Sequence, residues 1–574
     1  MARANDDVEQ ALLEFADLLS ILSEDRFKPR AYEKAARAIG GYHADVSGLD
    51  LKAIMEIPSV GKSIGEKVLE ILLSGTFAEL EDLRRQVPAG VRELISIPGL
   101  GPKKAMVLFH ELGVASVDGL LEAIDDDRVA GLKGFGKRTQ DNILNGMQQL
   151  SASGGRVLVS IALDVAEAVL AELTALKQVR RAAFAGSLRR MRETIGDVDL
   201  LVASTDPVPI MEAFVALPSV TQVLAQGDTK SSIVTDRGLQ VDLRVVTPGV
   251  WGAAMIYFTG SKAHNVRIRE MAVREGLKLN EYGLFDAKSG ELLASETEEQ
   301  VYERLGLPYI APTLREDRGE VETALAGELP KVVEQRQIRG DLHTHTNLTD
   351  GLASLEEMLD TAEASRYAYY AVTDHAPNLA MQRMTDAKIL AQRARIQELQ
   401  PAYDMTLLHG TELNIDADGS VDWPEEFLAG FDLTVASVHS HFTQPRDEMT
   451  RRVIHAMDNP FVNVIGHLTG RLIGKRPPVD LDLEAVFEAA ARTGTALEIN
   501  SFPERLDLRD EHILWARRYG VKFAVNTDSH AAVHLPLMRY GVATAQRGWL
   551  SKDDVINTWP LAKLRRFLRK GRPA

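Results

Sequence analysis

A chain of 574 residues exceeds what one hydrophobic core serves, so three or four domains are expected, and 45% hydrophobic with 26% charged residues is an ordinary globular balance. The formal net charge of −16 excludes uniform attraction to a polyanion, so any nucleic-acid binding must come from local patches and backbone donors. The absence of cysteine excludes disulfides, thiol nucleophiles and thiolate-held zinc; with no signal-peptide core and no bilayer-length apolar run, a cytoplasmic enzyme is expected.

From Val8 to about Ile39 the sequence reads as helical, with Leu12, Leu13, Phe15, Leu18, Leu19 and Leu22 in an apolar stripe and a second helix starting after Pro29. A turn then repeats as Ile57-Pro58-Ser59-Val60-Gly61-Lys62, Ile97-Pro98-Gly99-Leu100-Gly101-Pro102-Lys103-Lys104 and Leu132-Lys133-Gly134-Phe135-Gly136-Lys137-Arg138. Each copy joins two helical segments and resembles a helix-hairpin-helix. Its glycines allow a sharp turn and expose amides at the next helix N-terminus, where a DNA phosphate can be held without reading sequence. The DNA-contact candidates are Gly61, Lys62, Gly99, Gly101, Lys103, Gly134, Gly136 and Lys137. Ser59 replaces a glycine of the pattern in the first copy, so a left-handed backbone there would be strained.

Past the Ser151-Ala152-Ser153-Gly154-Gly155 linker, a helix from Ile161 to Leu176 leads into a strand from Arg181 to Ala185. Gly186-Ser187-Leu188-Arg189-Arg190 follows, then Gly196-Asp197-Val198-Asp199-Leu200-Leu201-Val202. A strand's period of two puts Asp197 and Asp199 on one face and Val198, Leu200 and Val202 on the other. Gln240 to Val246 alternates in the same way and supplies Asp242 as a third carboxylate. Converging acids resist joint ionisation unless a cation lies between them, which predicts a divalent metal. The Gly-Ser turn offers backbone N–H groups, a hydroxyl and two guanidinium forks to phosphate. Metal and phosphate grip together indicate nucleotidyl transfer.

Tyr257-Phe258-Thr259-Gly260-Ser261-Lys262-Ala263-His264-Asn265-Val266-Arg267-Ile268-Arg269 and Gly276-Leu277-Lys278-Leu279-Asn280-Glu281-Tyr282-Gly283-Leu284 complete a likeness over residues of about 5 to 318. This region resembles the family X DNA polymerases. The resemblance implies that Asp197 and Asp199 bind two magnesium or manganese ions and that Asp242 binds the one activating the primer 3′-hydroxyl. It places Gly186, Ser187 and Arg190 at the outer nucleotide phosphates, and Tyr257, Phe258 and Gly260 beneath the sugar. Asn265 falls at the base edge and Arg269 near the template. Met191 stands where the family pattern continues with glycine, and Lys262 where the animal enzyme has an acidic residue. Lys67 matches the Schiff-base lysine of the family's 5′-deoxyribose phosphate lyase, which must shed its proton to act. Ser63 stands where the animal enzyme is basic, and a solvated helix lysine is expected at Lys67.

Residues Arg315 to Arg336 are polar, with a linker helix expected from Glu320 to Leu329. Short apolar runs ending in histidine or carboxylate follow, separated by helical segments such as Leu355 to Ser365, Asp386 to Leu399 and Leu483 to Thr493, the pattern of a βα barrel with its polar face at the strand ends. The set resembles the PHP (polymerase and histidinol phosphatase) domain, a metal-dependent phosphoesterase. Matched to its pattern, the ligands are His343, His345, Asp350, His375, Glu412, His439, His467, Asp528 and His530. The resemblance implies up to three manganese, zinc or iron ions, with 3′-to-5′ exonuclease or 3′-end phosphatase activity and cleavage at abasic sites. His409 and His441 are extra, as ligand-supporting or surface residues.

The expected organisation is multidomain: helical helix-hairpin-helix regions at 1–88 and 89–155, an α+β nucleotidyltransferase palm at 156–250 and thumb at 251–318, a linker at 319–338, and a distorted βα-barrel PHP domain at 339–574. The expected function is short-gap DNA repair synthesis on gapped or nicked duplex with deoxynucleoside triphosphates, by a monomer that does not contact membranes. The rival readings are a vestigial polymerase whose barrel does the physiological work, and a DNA-end-binding scaffold without turnover.

Overall fold

A computed structural model describes residues 4–22, 27–40, 42, 45–57, 59–87, 91, 94, 100, 102–126, 128–132, 134–136, 139–140, 143, 155–379 and 384–570. Among these, no helix is long and apolar enough to cross a membrane.

The first helix, Ala4–Leu22, lays Val8, Leu12, Phe15 and Leu19 against Tyr32, Ala36 and Ile39 of the second, Phe27–Gly40. That second helix starts two residues ahead of Pro29, because a proline in the first turn lacks only an N–H that has no helical partner there. Asn5 ties the pair together from inside, donating to Ile39 O and accepting from Val46 N. Apolar side chains from Val8 to Ile143 form one core, so the helical repeats fold on each other rather than as separate hairpins.

Five strands build the next sheet: β2 Arg181–Phe184, β4 Asp197–Ala203, β5 Val220–Gln226, β6 Lys230–Thr235 and β7 Gln240–Val246, in the order β2-β4-β7-β6-β5. The small ribbon of β1 Val157–Leu158 and β3 Thr194–Ile195 flanks it. Strands β4 and β7 run parallel, and their register sets Asp199 directly beside Asp242 and Asp197 beside Gln240. Val198, Leu200 and Val202 are buried against the helix Val159–Thr174, which commits the acids to the opposite face. A three-stranded meander, β8 Leu277–Asn280, β9 Gly283–Asp286 and β10 Leu292–Ala294, packs with the helices Trp251–Thr259 and Lys262–Arg274.

The expected linker is not a solvated spacer. Its helix ends at Leu325, with Val321 and Ala324 in the core of the preceding unit and Val333 in that of the following one. Arg315 and Glu320 are wholly buried, because each meets a partner: Arg315 Nη1 donates to Glu298 at 2.7 Å, and Glu320 lies 2.7 Å from His264 Nδ1.

The last unit is a curled parallel sheet in sequence order: β11 Tyr369–Val372, β12 Thr406–Asn414, β13 Leu433–Ser437, β14 Val464–Ile465, β15 Ala496–Asn500 and β16 Phe523–Asn526. Residues 341–345 close the gap between its edges. Ala371 and Thr373 donate to Asp341 O and Thr344 O on one side, and His345 donates to Ser529 O on the other. All six strands point their C-terminal ends to one rim, where the loops and the last strand residues gather the polar groups.

Two candidate active sites

In the palm, β2 ends in a one-turn helix, Gly186–Arg189, folded back against β4 by the bond from Ala185 N to Asp199 O. Gly186 has φ +57, and a Cβ there would sit 2.1 Å from Asp199 Oδ2, so only glycine lets the turn lie on the carboxylate. Met191, at the glycine position of the family pattern, has φ 52 and bears the strain glycine would avoid. Burial, followed by the charges of Asp197 and Asp242, pushes the pKa of Asp199 up to about 7. Asp242 is oriented by Gln240 Nε2, which donates to it at 2.9 Å, and Lys230 Nζ stands 3.8 Å away. Charge-crowded acids with a single lysine nearby fit a divalent cation, although they lie further apart than the tight barrel clusters described below.

Around this triad, Tyr257 is partly exposed and meets Phe258 edge-on, while Arg244 stacks over Phe258 at 4.9 Å. Gly260, with φ +66, leads into the helix that carries Asn265 and Arg269. Asn265 Nδ2 donates to Tyr257 O at 2.7 Å while its buried Oδ1 has no partner among the described residues; Arg269 is exposed. Ser187 is half-buried on the turn. Arg189 forks onto Glu298, and Arg190 donates from Nε to Glu316 and from Nη1 to Thr259 O. Neither glutamate was singled out from the sequence.

The helical region presents Ser59 with φ 64 and Gly61 as N-cap of the helix Lys62–Ser74, with Lys62 projecting into solvent. Gly134 has φ +90, and Gly136 O accepts from Thr139 and Gln140, starting the next turn of helix. Gly99, Gly101 and Lys137 lie outside the described residues, as does the side chain of Lys103. Lys67 differs from the expected solvated lysine. Its side chain is 11% exposed, 2.6 Å from Glu79 Oε1 and over the Phe77 ring. Burial alone would lower its pKa, but Glu79 outweighs this and raises it above the ordinary value.

At the barrel rim the nine expected residues come together. His345, Asp350, His375 and His530 form one cluster, His343, His345 and Asp528 a second, and His375, Glu412 and His439 a third, each with its ligand atoms within 4.8 Å. His467 joins them with Nε2 3.1 Å from Glu412 Oε1. His439 and His343 approach the same oxygen at 3.2 and 3.4 Å, yet among the described residues Oε1 makes no hydrogen bond. Imidazole nitrogens crowded around one carboxylate oxygen fit cations placed between them, and mixed imidazole and carboxylate donors suit zinc, iron or manganese. Burial opposes the charged imidazole of His343, but Glu498, Asp528 and Glu412 hold its pKa well above the ordinary value.

Supporting residues orient these ligands. Glu498 Oε1 lies 2.7 Å from His343 Nδ1, and its Oε2 accepts from His467 N. Asn414 Oδ1 lies 2.8 Å from His439 Nδ1, and Asn500 Nδ2 donates to Asp528. Asp374 is saturated by Thr346, Thr349 and Gln392, which shapes the loop delivering Asp350. His467 and Asp528 hold φ of 24 and 54, strained conformations that aim them inward. His409 points the other way, stacked on Phe431, and His441 is exposed beside Ser440.

Residues 3–77 match a helix-hairpin-helix domain, 91–148 a SAM-like helix-hairpin-helix tandem, 254–316 the DNA polymerase beta thumb and 341–502 the PHP domain. The DNA polymerase/3′-5′ exonuclease PolX of Bacillus subtilis (strain 168) is 35% identical over 568 residues, 98% of this chain and 99% of that protein. DNA polymerase lambda of Rattus norvegicus is 28% identical over 325 residues, 51% of this chain and 53% of that protein. A probable phosphatase of Thermoanaerobacter sp. (strain X514) is 29% identical over 247 residues, 40% of this chain and 94% of its own length. The chain belongs to the family X DNA polymerases that carry a C-terminal PHP domain, and it is a nucleotidyltransferase enzyme.

Proposed function

We propose that the chain fills short gaps in duplex DNA by template-directed synthesis and that its PHP domain trims or dephosphorylates 3′ ends. The observation that carries this reading is the palm triad, in which half-buried Asp199 lies beside Asp242 under a glycine-only turn. Divalent cations, when bound, would neutralise phosphate charge and lower the pKa of an attacking hydroxyl or water. Asp197, Asp199 and Asp242 would hold two such ions, magnesium or manganese, and the nine barrel residues up to three. Ser187 and Arg190 would take the outer phosphates of a nucleotide and Tyr257 with Phe258 the underside of its sugar. Gly61, Gly134 and Gly136 with Lys62 would grip the DNA backbone. Glu79 keeps Lys67 charged, so lyase chemistry at this lysine would require Glu79 to move away. In the barrel, Glu498 and Asn414 would fix imidazole orientation.

The test is a labelled, gapped duplex with and without nucleotides. Asp242→Ala should lower extension by roughly 10²–10³-fold, the scale of removing one preorganised electrostatic group, while leaving 3′-end shortening intact. His343→Ala should do the reverse. Loss of both activities in either variant would contradict two separate sites.

A further inference from the structure

Arg190 has contacts on two sides. Its Nε donates to Glu316 Oε1 at 3.1 Å and its Nη1 to Thr259 O at 2.6 Å, while among the described residues Nη2 keeps no partner. Glu316 belongs to the segment that leads from the thumb towards the barrel. The same Oε1 accepts Arg547 Nη1 at 2.8 Å from the barrel helix Met538–Arg547. That Nη1 also donates to the backbone carbonyl of Arg190 at 2.7 Å, while Arg547 Nη2 donates to Asp510 at 2.7 Å. Asp510 in turn pairs with Arg318 at 3.1 Å, and Arg192 stands 3.9 Å from the far oxygen of Glu316. The side chains of Arg547, Glu316 and Arg190 are only 4%, 11% and 13% exposed, so solvent screens this line of alternating charge weakly.

One barrel guanidinium therefore holds Arg190 at both ends, its carbonyl directly and its side chain through Glu316. The carbonyl precedes Met191, whose left-handed backbone needs its surroundings to fix it. Glu316 shared between two arginines neutralises Arg190 less than it would in an exclusive pair, which leaves charge for a ligand at Nη2.

We propose that Arg547, a residue of the PHP domain, is a positioning residue for the incoming nucleotide in the polymerase domain. It acts by fixing the backbone of Arg190 directly and its guanidinium through Glu316. The proposal rests on the reading of Arg190 as a ligand of the nucleotide phosphates. It makes the barrel a working part of the synthetic site, beyond any hydrolysis the barrel performs.

The test uses the full chain on a gapped duplex, with Arg547→Gln, Arg547→Lys, Glu316→Gln and Arg190→Ala compared for nucleotide KM, kcat, 3′-end shortening and thermal unfolding. Arg547→Gln should raise the nucleotide KM roughly tenfold, the scale of losing one charge-assisted hydrogen bond, with kcat and end shortening within about twofold of the parent. Arg547→Lys should recover part of that loss, and Glu316→Gln should raise KM in the same direction. If Arg547→Gln does not fold, the Glu316→Gln result decides. A raised KM in Arg190→Ala with an unchanged KM in Arg547→Gln and Glu316→Gln overturns the coupling. A parallel fall of both activities with the unfolding temperature reduces Arg547 to a stabilising contact and overturns it as well. An unchanged KM in Arg190→Ala overturns the phosphate reading itself, and the proposal with it.

Discussion

Ser59, with φ 64 in the first hairpin, shows how a single residue can be read against its pattern. Glycine is the residue that adopts this conformation without steric cost, and the flanking repeats place glycine there. Ser59→Gly is expected to stabilise the helical region by about 1 kcal/mol, read as a raised urea midpoint of the helical circular-dichroism signal. His409 illustrates the opposite case, a histidine whose role the sequence left open. Burial, and then Arg393, whose Nε donates to its Nδ1 at 3.2 Å, push its pKa down to about 3. An unfolded histidine titrates near 6.5, so as the pH falls below about 6.5 the unfolded chain takes up a proton that the folded chain refuses. This contribution to stability is present above about 6.5 and lost progressively towards about 3. His409→Gln keeps an acceptor for Arg393 and removes the titration, so its acid-unfolding midpoint, followed by tryptophan fluorescence, should lie below that of the parent.

Strand β15 shows what an element carries beyond its hydrophobic pattern. Ala496-Leu497-Glu498-Ile499-Asn500 places a carboxylate inside a fully buried parallel strand, and that charge among apolar neighbours was the available signal for a functional group. It was missed because the expected motif set counted residues at strand ends, whereas Glu498 acts one layer behind them on His343 and His467. Glu498→Gln should weaken metal retention by the barrel by about 10- to 100-fold, measured as bound metal against a competing chelator, with nucleotide incorporation unchanged. The 346–350 loop follows the same logic, since the saturated Asp374 holds the turn from which Asp350 reaches the cluster.

Over the whole molecule, a net charge of −16 requires DNA attraction to be local, and Lys62 beside the Gly61 cap is exposed enough to provide it. Lys62→Ala should reduce the slope of log affinity against log salt by about 1, measured on a gapped duplex by fluorescence anisotropy. A slope equal to that of the parent would exclude a phosphate contact at Lys62. The segment between thumb and barrel was expected as polar linker, and composition supports that reading; its Arg315, Glu316 and Glu320 are nevertheless withdrawn from solvent because Glu298, His264, Arg190 and Arg547 wait for them on four other elements. Leu506 and Tyr540 of the barrel likewise complete the palm core. The linear order of residues determined the helical repeats, the alternating strands, their acids and the histidine-rich runs, because periodicity and motif spacing are local properties of the chain. Only the tertiary structure decided which charges are buried, which carboxylates orient the ligands and where the barrel touches Arg190. Those outcomes depend on partners up to several hundred residues away, and burial turns a solvated charge into a fixed one only when its partner arrives.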